Sequence, residues 1–155
     1  MLTLHPITQA DRERFWNINQ KYLYEMTLYY PDEMDEKGVL HYGYFDEYFV
    51  DPKRKAYFIF NGETMVGFVM INPYSVLGGN PDYTMAEFTI FPAFRRNGFG
   101  FEAATLVLST FKGKWEIKFN EKNIGAKKFW TKITEKYNPK IHHLNEMETV
   151  LTFEN

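Results

Sequence analysis

Ile90-Phe91-Pro92-Ala93-Phe94-Arg95-Arg96-Asn97-Gly98-Phe99-Gly100 links the end of one element to the start of another. Upstream, Ala86–Phe91 has the character of a strand that stops at a proline. Downstream, Phe101 to Phe111 carries apolar residues at helical spacing. Between them lie two arginines and two glycines, and neither glycine puts a side chain over the backbone. Such a turn presents successive N–H groups at a helix N-terminus, where the first amides lack internal partners and the helix dipole is positive. A phosphate or pyrophosphate suits it.

Outward from this turn the chain alternates strands and helices. Leu2–Leu4 is a short strand. Thr8-Gln9-Ala10-Asp11 has capping-box form and opens a helix with Phe15, Ile18, Tyr22, Met26 and Tyr29 on one face, ended by Tyr30-Pro31. Residues 32–51 read as an acidic, tyrosine-rich loop with a helical piece near Phe45–Phe49. Ala56–Phe60 and Thr64–Asn72 are strands joined by Asn61-Gly62, a hairpin signal, and Tyr83–Phe91 is the next strand after a loop. The helix beginning near Gly98 carries Phe101, Thr105, Leu108 and Phe111. Trp115–Phe119 is a strand, and Asn123–Lys136 a helix burying Ala126, Phe129, Trp130 and Ile133. Ile141–Leu144 and Glu148–Phe153 form a closing strand pair. This order predicts an α/β fold of the α+β type, a mixed sheet with helices on its faces. Without repeats or linkers, residues 1–155 read as one domain.

Composition narrows the function. With no cysteine, disulfides, thiolate metal sites and cysteine nucleophiles are excluded, and no secretory signal is visible; both fit a reducing, cytoplasmic setting. No apolar run approaches a membrane span. A formal charge of −2 argues against nucleic acid as the main partner. Residues 1–51 hold four lysines and arginines against ten acids, and residues 52–155 hold fourteen against ten. An acidic front and a basic back suit a protein that grips an anion with one part and receives a cation with the other; uneven charge on a solvated surface gives the same count.

Two short motifs in this order resemble the GNAT superfamily of acetyl-CoA-dependent N-acetyltransferases. Arg95-Arg96-Asn97-Gly98-Phe99-Gly100 fills the family's Arg/Gln-x-x-Gly-x-Gly/Ala signature. Asn123-Ile124-Gly125-Ala126-Lys127-Lys128-Phe129-Trp130 matches Asn-x-x-Ala-x-x-Phe-Tyr except at its last position. The resemblance implies a mixed, mostly antiparallel central sheet of six to seven strands flanked by helices. It implies acetyl-CoA as donor, no metal, and a small-molecule or peptide amine as acceptor, with a homodimer as a candidate assembly. The amides of Arg95, Arg96, Asn97, Gly98, Phe99 and Gly100 would cradle the pyrophosphate. The strand edge at Phe88 and Ile90 would pair with the pantetheine arm and hold the thioester oxygen. Asn123 would hydrogen-bond the pantetheine, and Lys127 either meets the 3′-phosphate or lies on a solvated helix face.

An amine attacks a thioester only when neutral, so its proton needs a route away. Glu87 sits five residues before Pro92, where relatives often carry a carboxylate. It acts as the general base, or it orients the acceptor without moving protons. Trp130 replaces the tyrosine that often protonates the leaving thiolate, and an indole N–H cannot act as an acid near neutral pH. Another tyrosine takes the role, the thiolate leaves unaided, or the chain is an acyl-CoA-binding module with weak turnover. On the acceptor side, seven of the eleven tyrosines fall between Tyr22 and Tyr48, interleaved with carboxylates. Tyr22, Glu25 and Tyr29 would bind a cationic amine through ring faces and charge, or pack as core.

Other sites lack their context. Gly98-x-Gly100-x-x-Ala103 matches a dinucleotide fingerprint, but too few βα units follow it. His142 and His143 are adjacent, so a strand points them to opposite faces, and no metal-ligand spacing is present.

Overall fold

The structure, a computed structural model, describes all 155 residues. The strands are β1 (Leu2–Pro6), β2 (Lys55–Asn61), β3 (Thr64–Asn72), β4 (Tyr83–Ile90), β5 (Lys114–Asn120), β6 (Lys140–His143) and β7 (Glu148–Glu154). The helices are α1 (Arg12–Met26), α2 (Glu47–Val50), α3 (Phe99–Thr110) and α4 (Ile124–Thr134). They build the expected mixed sheet, with strand order β1-β2-β3-β4-β5-β7-β6. Every neighbouring pair is antiparallel except β4 and β5.

Three local details differ from the sequence reading. Helix α1 stops at Met26, short of Tyr30-Pro31. The residue before a proline avoids helical angles, and the chain tightens first, with Leu28 N–H donating to Glu25 O and Tyr29 N–H to Met26 O. In the β2–β3 hairpin, Asn61 pairs with Thr64, so the turn is Gly62-Glu63, and Gly62 takes the required positive φ of 60°. Helix α3 buries Ala103, Ala104, Val107 and Leu108, leaving Phe101 and Thr105 exposed. Its small alanines let the helix backbone approach the sheet closely.

The sheet has a core on each face. Toward α3 and α4 lie Val69, Ile71, Val107, Leu108, Trp115, Ile117 and Trp130. Toward α1 and α2 lie Phe15, Phe45, Phe58, Phe68 and Met70.

The feature that positions the site is the parting of the two central strands. β4 and β5 pair only from Tyr83–Met85 against Trp115–Ile117. Beyond that, Ala86–Ile90 stays with β3 while Lys118–Asn120 stays with β7, leaving a gap in mid-sheet. A bulge marks the spot: Met70 faces Glu87 and Ile71 faces Met85, so Ala86 is an extra residue on β4. Bulges sharpen strand twist and end pairing. This one also shifts the phase of alternation. Met85 lies in the α3/α4 core, and strict alternation would send Glu87 there as well. The extra residue instead sets Glu87 beside Met70 on the α1/α2 side and returns Phe88 to the side of Phe129 and Trp130.

Candidate active site

Below the gap, the turn from Phe91 to Phe99 holds its backbone open. Arg96 and Gly98 both have positive φ, 65° and 78°. Each amide from Arg96 to Phe101 lacks a partner within the chain, and intrahelical pairing resumes with Glu102 N–H to Gly98 O. Successive unpaired amides in alternating conformations form an anion-binding concavity at the N-terminus of α3. A Cβ on Gly98 would meet nothing within 4 Å, so the space before the turn is open. Gly100 is tighter, its Cβ direction reaching Phe129 at 3.4 Å.

Arg95 departs from the sequence expectation. Its N–H donates to Pro92 O at 3.3 Å, so it adds no amide to the concavity. Its side chain donates from Nε to Ile90 O at 2.7 Å and grips both Glu25 oxygens at 2.7 Å. Arg95 therefore fixes the turn to α1 rather than facing the anion, and Glu25 is engaged in that grip rather than in the acceptor wall.

Above the gap lies a cavity of about 740 Å³. The bulged segment of β4 and the α1-facing side of β5 form its floor, with Glu87, Glu116, Lys118 and Asn120 among the lining residues. Tyr22, Tyr30, Tyr42, Tyr44 and Tyr74 supply much of the wall. Tyr29 does not reach it, because α1 ends before that position; the cavity takes Tyr30 instead.

Glu87 is the group whose chemistry this setting changes most. Tyr22 donates its hydroxyl to Glu87 Oε2 at 2.5 Å, and the Tyr42 hydroxyl also faces the carboxylate. Burial pushes the Glu87 carboxyl up to about 7, against the opposing pull of Tyr22, Lys118 and Tyr42. Burial and the neighbouring carboxylate push Tyr22 and Tyr42 up as well, so both stay protonated donors. Lys118 is held by Glu148 at 2.8 Å, and Tyr30 donates to the same carboxylate at 2.9 Å. A carboxyl poised near neutrality at the edge of a cavity can take a proton from a bound group.

On α4, Asn123 lines the cavity, but its Oδ1 caps the helix by accepting from Ala126 N at 3.0 Å, leaving Nδ2 as the free donor. Lys127 is ion-paired with Glu121 at 2.6 Å. Trp130 is buried against Phe88 and Phe129, with ring centres 5.1 and 4.7 Å away. No group of three or more His, Asp or Glu side chains is arranged to hold a metal ion. No helix is long and apolar enough to cross a membrane.

The sequence profile described as the Acetyltransferase (GNAT) family matches residues 13–134. The chain belongs to the GNAT family of acetyltransferases. Its fold agrees with solved GNAT structures. An acetyltransferase from Thermus thermophilus is 18% identical, covers 100% of this chain and 97% of its own, and superposes with a TM-score of 0.74. Arabidopsis thaliana NAA60 in complex with a bisubstrate analogue is 10% identical over 99% of this chain and 98% of its own, at 0.65. Campylobacter jejuni N-acetyltransferase PseH in complex with acetyl coenzyme A is 10% identical over 100% and 99%, at 0.58. No curated protein sequence matches the chain.

As a GNAT acetyltransferase, the chain brings together most of the residues singled out in its sequence. Glu87, Phe88 and Asn123 meet at the gap, and the free amides from Arg96 onward lie at the foot of β4. Sequence reasoning missed Glu116, Lys118 and Asn120. Their signal was present, since Trp115 to Asn120 alternates apolar and polar residues and so has one polar face. Arg54 and Tyr74, which also line the cavity, carry no such signal.

Proposed function

We propose that this GNAT protein transfers an acetyl group from acetyl-CoA to a primary amine of a small molecule or peptide, by direct attack with both substrates bound. The observation that carries the reading is Glu87, poised near 7 where β4 leaves β5, between the amide concavity and the cavity. Acetyl-CoA supplies an activated acyl group. The unpaired amides from Arg96 to Phe101 would hold its pyrophosphate, and the free edge of Ala86–Ile90 would pair with its extended arm. The acceptor would enter the tyrosine-walled cavity as an ammonium and pass its proton to Glu87. As the new N–C bond forms, the C–S bond breaks, the sulfur leaves as a thiolate, and the nitrogen's second proton passes to water to leave a neutral amide. An ordinary thiol titrates near pH ~8.5, so the thiolate can depart without an acid where the family's tyrosine is Trp130.

Trp130 also favours a second reading, an acyl-CoA-binding module with weak turnover. Thiol release measured over a panel of amines tests both, together with calorimetry of CoA and acetyl-CoA. Binding with amine-dependent thiol release supports the enzyme. Binding with no release for any amine supports the module, and no binding overturns both.

A further inference from the structure

Arg54 stands apart from the groups described so far. Its side chain is 10% exposed, it precedes β2, and it lines the same cavity as Glu87. The guanidinium carbon lies 4.5 Å from the Tyr74 ring centre, 4.7 Å from Tyr44 and 5.4 Å from Tyr48. Asp51 Oδ2 approaches Nε at 3.3 Å, without the geometry of a hydrogen bond. Asp51 is itself fixed by the Tyr74 hydroxyl at 2.6 Å and the Lys53 N–H at 2.9 Å. The guanidinium also faces the Tyr48 hydroxyl, and its buried Nε makes no hydrogen bond within the chain.

Three rings and one carboxylate thus surround the guanidinium while most of its donors stay unused. Arg54 lines the cavity, and the natural complement of a guanidinium with free donors there is a planar oxyanion that accepts two N–H bonds at once. Its position relative to Glu87 narrows the ligand further. The Tyr42 hydroxyl faces both Tyr48 and Glu87, and Tyr48 stacks on Arg54. Tyr42 and Tyr48 therefore link the proton acceptor to the guanidinium, and Glu87 and Arg54 both line the cavity. A polyamine would bring a second cation against Arg54, which like-charge repulsion disfavours.

We infer that the acceptor is an amine bearing a carboxylate, its nitrogen at Glu87 and its carboxylate on Arg54, so that the substrate class is a compact amino acid. This rests on the acetyltransferase reading above. A free amino acid and the acidic first residue of a peptide share this chemistry.

Matched probes test it on the full chain saturated with CoA. Calorimetry compares 4-aminobutyrate with putrescine, leucine with leucinamide, and aspartate with an Asp-Ala-Ala amide. In the first two pairs at least one acid should bind about tenfold or more tightly than its neutral or cationic counterpart, the range of a hydrogen bond to a charged group. The aspartate pair tells free acid from peptide. With acetyl-CoA, the same preference should appear in KM more than in kcat. Arg54→Met should collapse the acid-over-amide ratio toward one, and Arg54→Lys should retain part of it, since charge remains while the fork is lost. Equal or weaker binding of both 4-aminobutyrate and leucine against their counterparts overturns the inference, as does an acid preference that survives Arg54→Met in a folded variant. Transfer to amines without acid preference sinks this inference alone, whereas failure to bind CoA sinks the acetyltransferase reading.

Discussion

The Tyr22 hydroxyl donates to Glu87 Oε2 at 2.5 Å, tying helix α1 to the bulged segment of β4 across the cavity. The bond favours the ionised carboxylate while burial opposes it, and burial prevails. Were Glu87 the base, kcat/KM would rise with pH through about 7. Glu87→Gln should remove that limb and lower kcat by about 10²-fold or more. Tyr22→Phe deletes a donor that stabilises the charged form, so the limb should move up by about one pH unit. A pH–rate profile on the three proteins checks both. An unchanged limb in Glu87→Gln excludes Glu87 as the base.

The same group leaves a mark on stability. Its folded pKa is raised from 4.5 to about 7, so its contribution is complete below the ordinary carboxylate range and lost as pH rises through about 7. Glu87→Gln should therefore unfold at higher temperature than the parent at pH 8 and at about the same temperature at pH 4. The difference is bounded by about 3 kcal/mol, because the cavity keeps the carboxyl partly reachable by water. Thermal unfolding at the two pH values reads it directly.

Gly98 tests the amide concavity. At φ 78° any side chain is strained, and a Cβ there projects into open space in front of the unpaired amides. Gly98→Val should weaken CoA binding measured by calorimetry by about tenfold or more, through loss of amide geometry. KM for the amine should change little. Undiminished CoA affinity would argue that the anion does not sit on this turn.

The Arg95–Glu25 grip predicts a different signature. Both side chains are partly exposed, so deleting one should cost about 1 kcal/mol of stability, with a similar coupling energy in a double-mutant cycle. CoA affinity should fall by a smaller factor than in Gly98→Val, since Arg95 contributes anchoring and no free amide. Urea unfolding and calorimetry on Arg95→Ala, Glu25→Ala and the pair resolve the two effects.

Much of this architecture was readable because it is local. Gly98, Gly100 and Asn123 act through their own backbone or the next helical turn, and strand and helix periods carry the element order. What escaped depends on partners far along the chain. Nothing near Arg95 announces that Glu25, seventy residues earlier, takes its guanidinium. The bulge at Ala86 is equally silent, because Ala-Glu-Phe reads as plain alternation until β3 sets the register. That one inserted residue decides which face Glu87 meets. Arg54 owes its setting to tyrosines from two separate segments, Tyr44 and Tyr48 before β2 and Tyr74 after β3.

Trp130 poses the last test. Trp130 is 6% exposed and packs against both Phe88 and Phe129, so Trp130→Tyr leaves a gap and should cost about 1–3 kcal/mol of stability. It also places a hydroxyl where the motif usually carries one. If the thiolate departs unaided, kcat should not rise in this variant at any pH, whereas CoA affinity falls only as far as the loosened packing dictates. A rise in kcat would mean that protonation of the leaving sulfur limits the parent, and that the tryptophan restrains catalysis. A cooperative unfolding transition lowered by no more than that stability cost keeps the experiment readable, since it shows that the variant is folded with one loosened core position.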